Sequence, residues 1–207
     1  MSDTIVKRPY RSPLRQAQAE QTRQRILDAG LELFAERGYP VTSVAQIAAA
    51  AGVSAETIYA SVGSKRGIID ALLEQVDEER PIERARETVV ARGGGPRVVL
   101  EVFAETAGRF WAAHAQLVEV LRKGVGDPEI GGAWTAREAS RRNLFAEAVR
   151  AWPAGSLRPG LDPERAADIA WALTAEDNYM RLVERQAWPL EDYIAWTTSL
   201  LNDQLLA

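Results

Sequence analysis

The chain has 207 residues, 46% of them hydrophobic, which is enough for one large helical domain or two modest ones that share an interface. It has no cysteine and one histidine, which excludes disulfides, thiolate nucleophiles, cysteine-ligated zinc and metal sites built on paired histidines. Since no apolar run is long enough to span a membrane and the first residues form no secretion signal, we expect a cytoplasmic protein without a cofactor.

The net charge of −4 is unevenly distributed along the chain. Residues 1–67 carry a balance of +3 and the remainder −7, and six bases lie between Lys7 and Arg25 with only Glu20 opposing them. Such a basic segment on an acidic chain favours a polyanionic partner for one end. A solubilising N-terminus explains the same charges, and we predict a disordered basic arm over residues 1–15.

Apolar residues recur with helical spacing along the chain and no segment alternates as a strand would, so we predict an all-α fold of about nine helices. In the first part, helices are expected over about 16–37, 42–50 and 54–61, and a fourth over 64–79. Gly52 separates the second helix from the third.

Two glycine-rich segments, 92–96 and 124–132, resemble phosphate loops at first sight. Neither follows a strand or ends in Gly-Lys-Ser/Thr, so we interpret both as connections between helices. The remaining helices are predicted over about 96–121, 128–152, 163–186 and 188–206.

The two short helices around Gly52 have the spacing of a helix-turn-helix. Ala48 has to be small because the second helix crosses close to it, and Gly52 can adopt the positive backbone angle of a sharp turn. Caps and a small crossing residue also occur in other pairs of short helices. Hydroxyls and helix N-termini are, however, ordinary phosphate donors. We therefore predict these DNA-binding residues: Thr42, Ser43, Ser54, Ala55, Glu56, Thr57, Tyr59, Ser61 and Lys65. The sequence leaves open whether Glu56 accepts from a cytosine amino group or repels phosphate.

At this point the chain resembles the TetR/AcrR family of bacterial transcriptional regulators. Residues 22–73 follow that family's N-terminal signature nearly throughout, as TRQRILDAGLELFAERGYPVTSVAQIAAAAGVSAETIYASVGSKRGIIDALL. The resemblance implies a helix-turn-helix DNA-binding domain over 16–63 and a helical effector-binding and dimerisation domain over 64–207. Ser61 and Val62 stand where the family usually carries an aromatic pair, which leaves the DNA contact of Ser61 open.

The resemblance further implies a repressor that binds a palindromic operator as a homodimer and is released by a small hydrophobic effector. The last two long helices would form the dimer interface, and their apolar residues fit either that interface or the subunit's own core. The interface candidates are Ala166, Ala167, Ile169, Ala170, Leu173, Ala175, Tyr179, Leu182, Val183, Tyr193, Ile194, Trp196, Thr197, Leu200, Leu201 and Leu205.

An effector cavity would draw on the aromatic side chains of the middle helices. Taken singly, each of these residues fits core packing better than a ligand contact. The candidate effector-binding residues are Phe103, Phe110, Trp111, His114, Trp134, Phe145, Trp171, Asn178 and Tyr179, with Glu105 or Glu176 as further polar contacts.

Two alternatives stay open at this stage. A DNA-binding regulator without a small-molecule effector would carry the same N-terminal helices. A helical enzyme would depend on carboxylates, and no pair of them is marked out from the acids of solvated faces. We therefore do not expect an enzyme.

Overall fold

A computed structural model describes residues 13–207, and it confirms the predicted all-α fold. The described residues form ten α-helices and one π-helical segment, and their only extended pairing is an isolated bridge between Leu157 and Leu206. They divide into a first unit that ends at Leu73 and a second unit from Glu74 to Ala207. No described helix is both long and apolar enough to cross a membrane.

The first unit is built from four helices, of which the last continues into the second unit. They are α1 (Pro13–Arg37), α2 (Val44–Ala51), α3 (Ala55–Val62) and α4 (Lys65–Glu78). Helix α1 packs against both α2 and α3, which also pack against each other. Residues 1–12 of the predicted basic arm lie outside the described residues, whereas 13–15 are helical and extend α1 beyond its predicted start.

The core of this unit is formed by one apolar stripe from each helix. Its fully buried members are Ile26, Leu27, Phe34, Ile47, Ile58, Ile68 and Ile69. Gly30 of α1 permits the close approach of α4, because a Cβ there would lie 2.8 Å from Cγ2 of Ile68. The periodic spacing that predicted these helices therefore also placed their buried faces correctly.

The second unit contains the remaining helices. They are α5 (Pro81–Ala91), α6 (Pro96–Lys123), α7 (Gly131–Arg150), α8 (Pro163–Leu173), α9 (Glu176–Tyr179), the π-helical segment (Met180–Arg185) and α10 (Leu190–Leu205). Helix α6 is bent at His114, whose φ of −123° and ψ of 17° are not helical. Helix α5 was not predicted, and none of its residues is buried.

Two apolar clusters fill this unit. The first is centred on Leu100, Phe145 and Leu201 and includes the alanines of α8. The second, called the aromatic cluster below, buries Trp111, Val118, Tyr179, Tyr193 and Ile194, with Phe110, Ala115, Trp134, Met180, Leu182, Val183, Leu190 and Trp196 packed against them.

These clusters correct much of the predicted dimer interface. Ala166, Ala167 and Ala170 are 0% exposed because α8 packs closely against α7 and α10 of the same chain. The interface candidates that the chain buries within itself are Ala166, Ala167, Ala170, Tyr179, Tyr193, Ile194, Thr197, Leu201 and Leu205. A smaller apolar set remains for a partner.

Two predicted helix limits are also wrong. Helix α7 begins at Gly131 and not at Pro128, because the Asp127 carboxylate accepts from the backbone N–H groups of Glu129 and Ile130 and holds a turn ahead of the helix. The single helix predicted over 163–186 is interrupted after α8 and continues as α9 and the π-helical segment.

The interruption lies at Thr174, where side chains from other helices take over the free carbonyl groups. Trp111 Nε1 donates to the Thr174 carbonyl at 2.9 Å, and Arg141 Nη1 donates to the Thr174 hydroxyl at 2.6 Å. Asn178 Nδ2 donates to carbonyls in the last turn of α8 at 3.0 and 3.1 Å. A helix can end inside a protein when its last carbonyls find such partners.

Gly108→Val tests the packing of α6 against α10. A Cβ at Gly108 would lie 2.8 Å from Cγ1 of Ile194, so we expect the free energy of unfolding to fall by about 1–3 kcal/mol in urea titrations. Gly132→Val is the matched control, since no atom lies within 4 Å of a Cβ at that helical glycine. Equal stability of the two variants would contradict the close approach of α6 and α10.

Candidate nucleic-acid interface and effector region

Helix α2 begins with a complete capping box. The Ser43 hydroxyl accepts from the Gln46 backbone N–H at 3.3 Å, and Gln46 Oε1 accepts from the Ser43 backbone N–H at 2.8 Å. These two bonds satisfy backbone donors that an uncapped helix start leaves free. Ser43 is exposed, so this end of α2 can also meet a phosphate.

Gly52 makes the turn between α2 and α3 in the left-handed conformation that the sequence predicts, with φ of 65° and ψ of 39°. The N–H of Gly52 donates to Ala49 and that of Val53 to Ala48, at 3.3 and 3.0 Å. Ala48 is 5% exposed, as expected for a residue at the helix crossing. The turn at Gly52 and the small side chain of Ala48 together set the direction in which the chain enters α3.

Helix α3 is capped by Ser54, whose hydroxyl accepts from the Thr57 backbone N–H at 3.2 Å. Ile58 is fully buried and fixes the helix to the core, whereas Tyr59 is 54% exposed. Arg23 of α1 donates to the Ser61 carbonyl at 3.1 Å and holds the other end of α3. The sequence interpretation missed this role of Arg23, which was noticed only as one of several bases.

The remaining predicted DNA-binding residues on α3 differ in exposure. Glu56 is exposed, and Ala55, Thr57 and Ser61 are half-buried. Hydrogen bonds from the backbone of Glu56 and from Ser54 lower the pKa of the Glu56 carboxyl, so this residue stays ionised at the N-terminus of α3. It therefore presents a hydrogen-bond acceptor there.

Two predicted contacts are engaged within the chain. Thr42 was expected to face outward but is 2% exposed, and its hydroxyl is within hydrogen-bond distance of the carbonyls of Gly38 at 2.8 Å and Leu33 at 3.3 Å. Lys65 is half-buried, donates to the Tyr39 carbonyl at 2.9 Å and lies 4.1 Å from the centroid of the Tyr39 ring. Lys65 thus ties the start of the α1–α2 connection to the start of α4.

The predicted effector residues do not form one group. Phe103 and Phe145 contact each other at 4.6 Å in the first cluster of the second unit, away from the aromatic cluster. Trp171 is 37% exposed and donates through Nε1 to Glu138 at 2.8 Å. Asn178, as described above, caps α8.

The other candidates gather in or beside the aromatic cluster. Phe110, Trp111, Trp134 and Tyr179 belong to it, and the ring of His114 lies 4.9 Å from that of Phe110. His114 also contacts the Glu79 carboxylate at 3.3 Å, at the bend of α6. The sequence therefore found the main aromatic side chains of this cluster.

The two further polar candidates differ in their surroundings. Glu105 forms a two-point ion pair with Arg92 and is not part of the cluster. Glu176 is 8% exposed, and its burial raises the pKa of its carboxyl. Arg122 is the base nearest to it, at 4.0 Å.

Open clefts of this unit lie elsewhere. One, of about 340 Å³, is lined by Arg97, Arg158, Pro159, Asn202, Asp203, Leu206 and Ala207. Another, of about 380 Å³, lies between the end of α7 and the start of α8. Neither is lined by a predicted effector residue. Among the described residues, no group of three or more acids and histidines could hold a metal ion.

Comparison with known proteins identifies the first unit by sequence and the fold by structure. Residues 26–72 match the family model of bacterial regulatory proteins, tetR family. Over 160 residues the chain is 27% identical to the HTH-type transcriptional regulator UidR of Escherichia coli strain K12, covering 77% of this chain and 81% of that protein.

Two solved structures share the fold. NalD, the secondary repressor of the MexAB-OprM multidrug efflux pump in Pseudomonas aeruginosa, aligns with a TM-score of 0.68 at 22% identity, covering 91% of this chain and 98% of NalD. The ketosteroid transcriptional regulator KstR2 of Mycobacterium tuberculosis aligns with a TM-score of 0.67 at 20% identity, covering 89% of this chain and 95% of KstR2.

Ser54→Ala should lower the stability of the first unit by about 1 kcal/mol, because it removes the cap of α3. Urea unfolding followed by circular dichroism measures this change. Ser140→Ala is the control, since Ser140 is exposed in the middle of α7 and caps nothing. The two variants would behave alike if the Ser54 cap did not stabilise α3.

Alkaline pH should weaken the second unit through Tyr179. Burial and the hydrogen bond to Glu184 raise the pKa of Tyr179 to about 12, above its ordinary value of about 10. The stability gained from the neutral hydroxyl is complete below pH 10 and is lost as the pH rises towards 12. In urea titrations over this interval, Tyr179→Phe should lose less stability than the parent. An equal loss would show that Tyr179 does not titrate with the fold.

Proposed function

We propose that the chain is a ligand-responsive repressor of the TetR/AcrR family of bacterial transcriptional regulators and not an enzyme, which the family match of residues 26–72 and the similarity to UidR support. It binds a palindromic operator as a homodimer and is released by a small hydrophobic effector. The arrangement of α2, Gly52 and α3 carries this proposal. Its domains are the DNA-binding residues 16–63 and the effector-binding and dimerisation residues 64–207.

The N-terminal part of α3 is proposed to enter the major groove. Glu56 and Thr57 face base edges there, and the exposed Tyr59 contacts the DNA backbone. The capped start of α2 at Ser43 meets a phosphate. Because Glu56 is held ionised, it favours a cytosine amino group as its partner and disfavours a phosphate at the same place.

A two-fold dimer would place two copies of α3 about 34–36 Å apart, which is the spacing of successive major grooves on one face of DNA. The apolar side chains left for a partner on the last helices are half-buried or exposed in the single chain. They are Ile169, Trp171, Leu173, Leu182, Val183, Trp196 and Leu200. Burying such a set between two copies stabilises the dimer.

Effector release is proposed to be a coupling between the two units. Helix α4 contributes residues to both of them. An effector that binds better to a second arrangement of the chain would shift α4 and change the distance between the two copies of α3. Simultaneous contact with both half-sites is then lost, and operator affinity falls.

The direct test of this function is selection of bound sequences from a pool of random duplexes. We expect an inverted repeat whose half-sites are centred about one helical turn apart, together with a dimeric mass in solution. A monomer, or a chain that does not bind DNA at low ionic strength, would contradict the proposal.

Tyr59→Ala should weaken binding to the selected operator and to random DNA by a similar factor of about ten, since it removes a backbone contact and no base contact. Fluorescence anisotropy titrations measure both affinities. Because Tyr59 is 54% exposed, the melting temperature should not change. Val125→Ala, at a residue of the second unit that is 50% exposed, serves as the control. Selective loss of operator binding alone would assign Tyr59 to base recognition.

A regulator without a small-molecule effector is the second candidate. It is favoured by the dense packing of the aromatic cluster, where Trp111 and Tyr179 are each 3% exposed, and by the position of the open clefts elsewhere. Operator affinity measured against a broad screen of small hydrophobic molecules separates the two candidates. A complete lack of response would select this second one.

A further inference from the structure

Two buried hydroxyl groups, one of them in the aromatic cluster, have no hydrogen-bond partner among the described residues. They belong to Tyr193 and Thr197, which lie one turn apart on α10 and are each 1% exposed. The ring of Tyr193 packs against Tyr179 and Trp196, at 5.8 and 6.2 Å. Both hydroxyls have therefore lost water on folding without gaining a full replacement.

The two unpaired hydroxyls indicate that another molecule binds between them. Buried polar groups in native proteins almost always have a partner, and an exception points to a water or a ligand. Burial raises the pKa of Tyr193 by more than the neighbouring Thr197 hydroxyl and Arg141 lower it, so the Tyr193 hydroxyl remains a proton donor at neutral pH. Two hydroxyls one turn apart can donate to the same acceptor atom.

The surroundings limit the chemistry of that occupant. The nearest base is Arg141, whose guanidinium is already bound by the Glu138 carboxylate and by the Thr174 hydroxyl. The Tyr179 hydroxyl donates to Glu184. Arg141 is thus already paired with Glu138, and the unpaired hydroxyl of Tyr193 belongs to a ring that packs among other aromatic rings. A neutral apolar molecule with an acceptor oxygen fits this environment.

One wall of the cluster is irregular. The π-helical segment places the half-buried Met180, Leu182 and Val183 against the cluster. It is followed by Ala187, which has the left-handed φ of 55° that residues with a Cβ rarely adopt. π-helical turns are rare and occur mostly at functional sites.

We propose that the aromatic cluster is a closed binding site for a neutral apolar ketone, whose carbonyl oxygen accepts hydrogen bonds from Tyr193 and Thr197. This deepens the proposed effector function and rests on it for its regulatory role. Neither hydroxyl belongs to the effector residues that the sequence predicts.

The test uses the full chain and two probes of similar shape, acetophenone and cumene, which differ in that acetophenone carries a carbonyl. Ligand-observed NMR titrations give the dissociation constants for the parent and for the double variant Tyr193→Phe, Thr197→Val. We expect the ratio of the cumene constant to the acetophenone constant to fall about tenfold in the double variant. The ¹³C resonance of carbonyl-labelled acetophenone should move downfield on binding to the parent and not on binding to the variant.

Thr198→Val is the matched control, because Thr198 is the next residue of α10 and is half-buried, whereas Thr197 is buried with an unpaired hydroxyl. It should leave the ratio unchanged. The double variant should melt at the same temperature as the parent or higher, since it removes two unpaired polar groups. An unchanged ratio, or no binding of acetophenone to the parent up to its solubility, would overturn the proposal.

These measurements are made without DNA, so they separate this proposal from the proposed function. Ketone binding in a chain that ignores DNA would support the site and reject the regulator. Operator binding in a chain that ignores both probes would do the reverse.

Discussion

One left-handed residue sets the geometry on which the proposed DNA-binding surface depends. Gly52 joins two helices of eight residues each, which are too short to be stable alone. The caps at Ser43 and Ser54 satisfy the helix starts, and Ile58 fixes α3 to the core. With these points held, the turn at Gly52 determines which face of α3 is exposed.

The second unit follows a different principle, in which polar side chains define where helices end. Thr174 interrupts the predicted helix because Trp111 and Arg141 reach its carbonyl and hydroxyl from α6 and α7. The irregular backbone that follows, through the π-helical segment, borders the aromatic cluster with the unpaired hydroxyl of Tyr193. Regular helices therefore form the frame of this unit, and the irregular stretch borders the proposed ligand site.

The first unit was largely predictable from sequence because its signals are local. A serine before each short helix and a glycine between them act through neighbours three or four residues away. The outward position predicted for Thr42 failed because its hydroxyl bonds to Leu33 and Gly38, which is a tertiary contact that periodicity does not report. The engagement of Lys65 with Tyr39 escaped prediction for the same reason.

The helical class of the second unit could be predicted from the sequence, but the contacts of its individual residues could not. Apolar spacing shows that a residue faces inward, but it does not tell one cluster from another. Phe103 and Trp111 were thus grouped although they belong to different clusters, and Ala166 was assigned to a dimer interface although it is buried in its own chain. The sequence does place a polar residue, Thr197, on an apolar face four residues after Tyr193. It was interpreted as part of the dimer interface.

The most direct test of the central role of Gly52 compares Gly52→Asn with Gly52→Val. Asparagine tolerates a φ of 65° and valine does not. By fluorescence anisotropy, we expect the asparagine variant to keep its affinity for the selected operator within about threefold and the valine variant to lose at least about tenfold, with unfolding of the second unit unchanged in both. Operator binding by the valine variant at the parent's affinity would contradict the account.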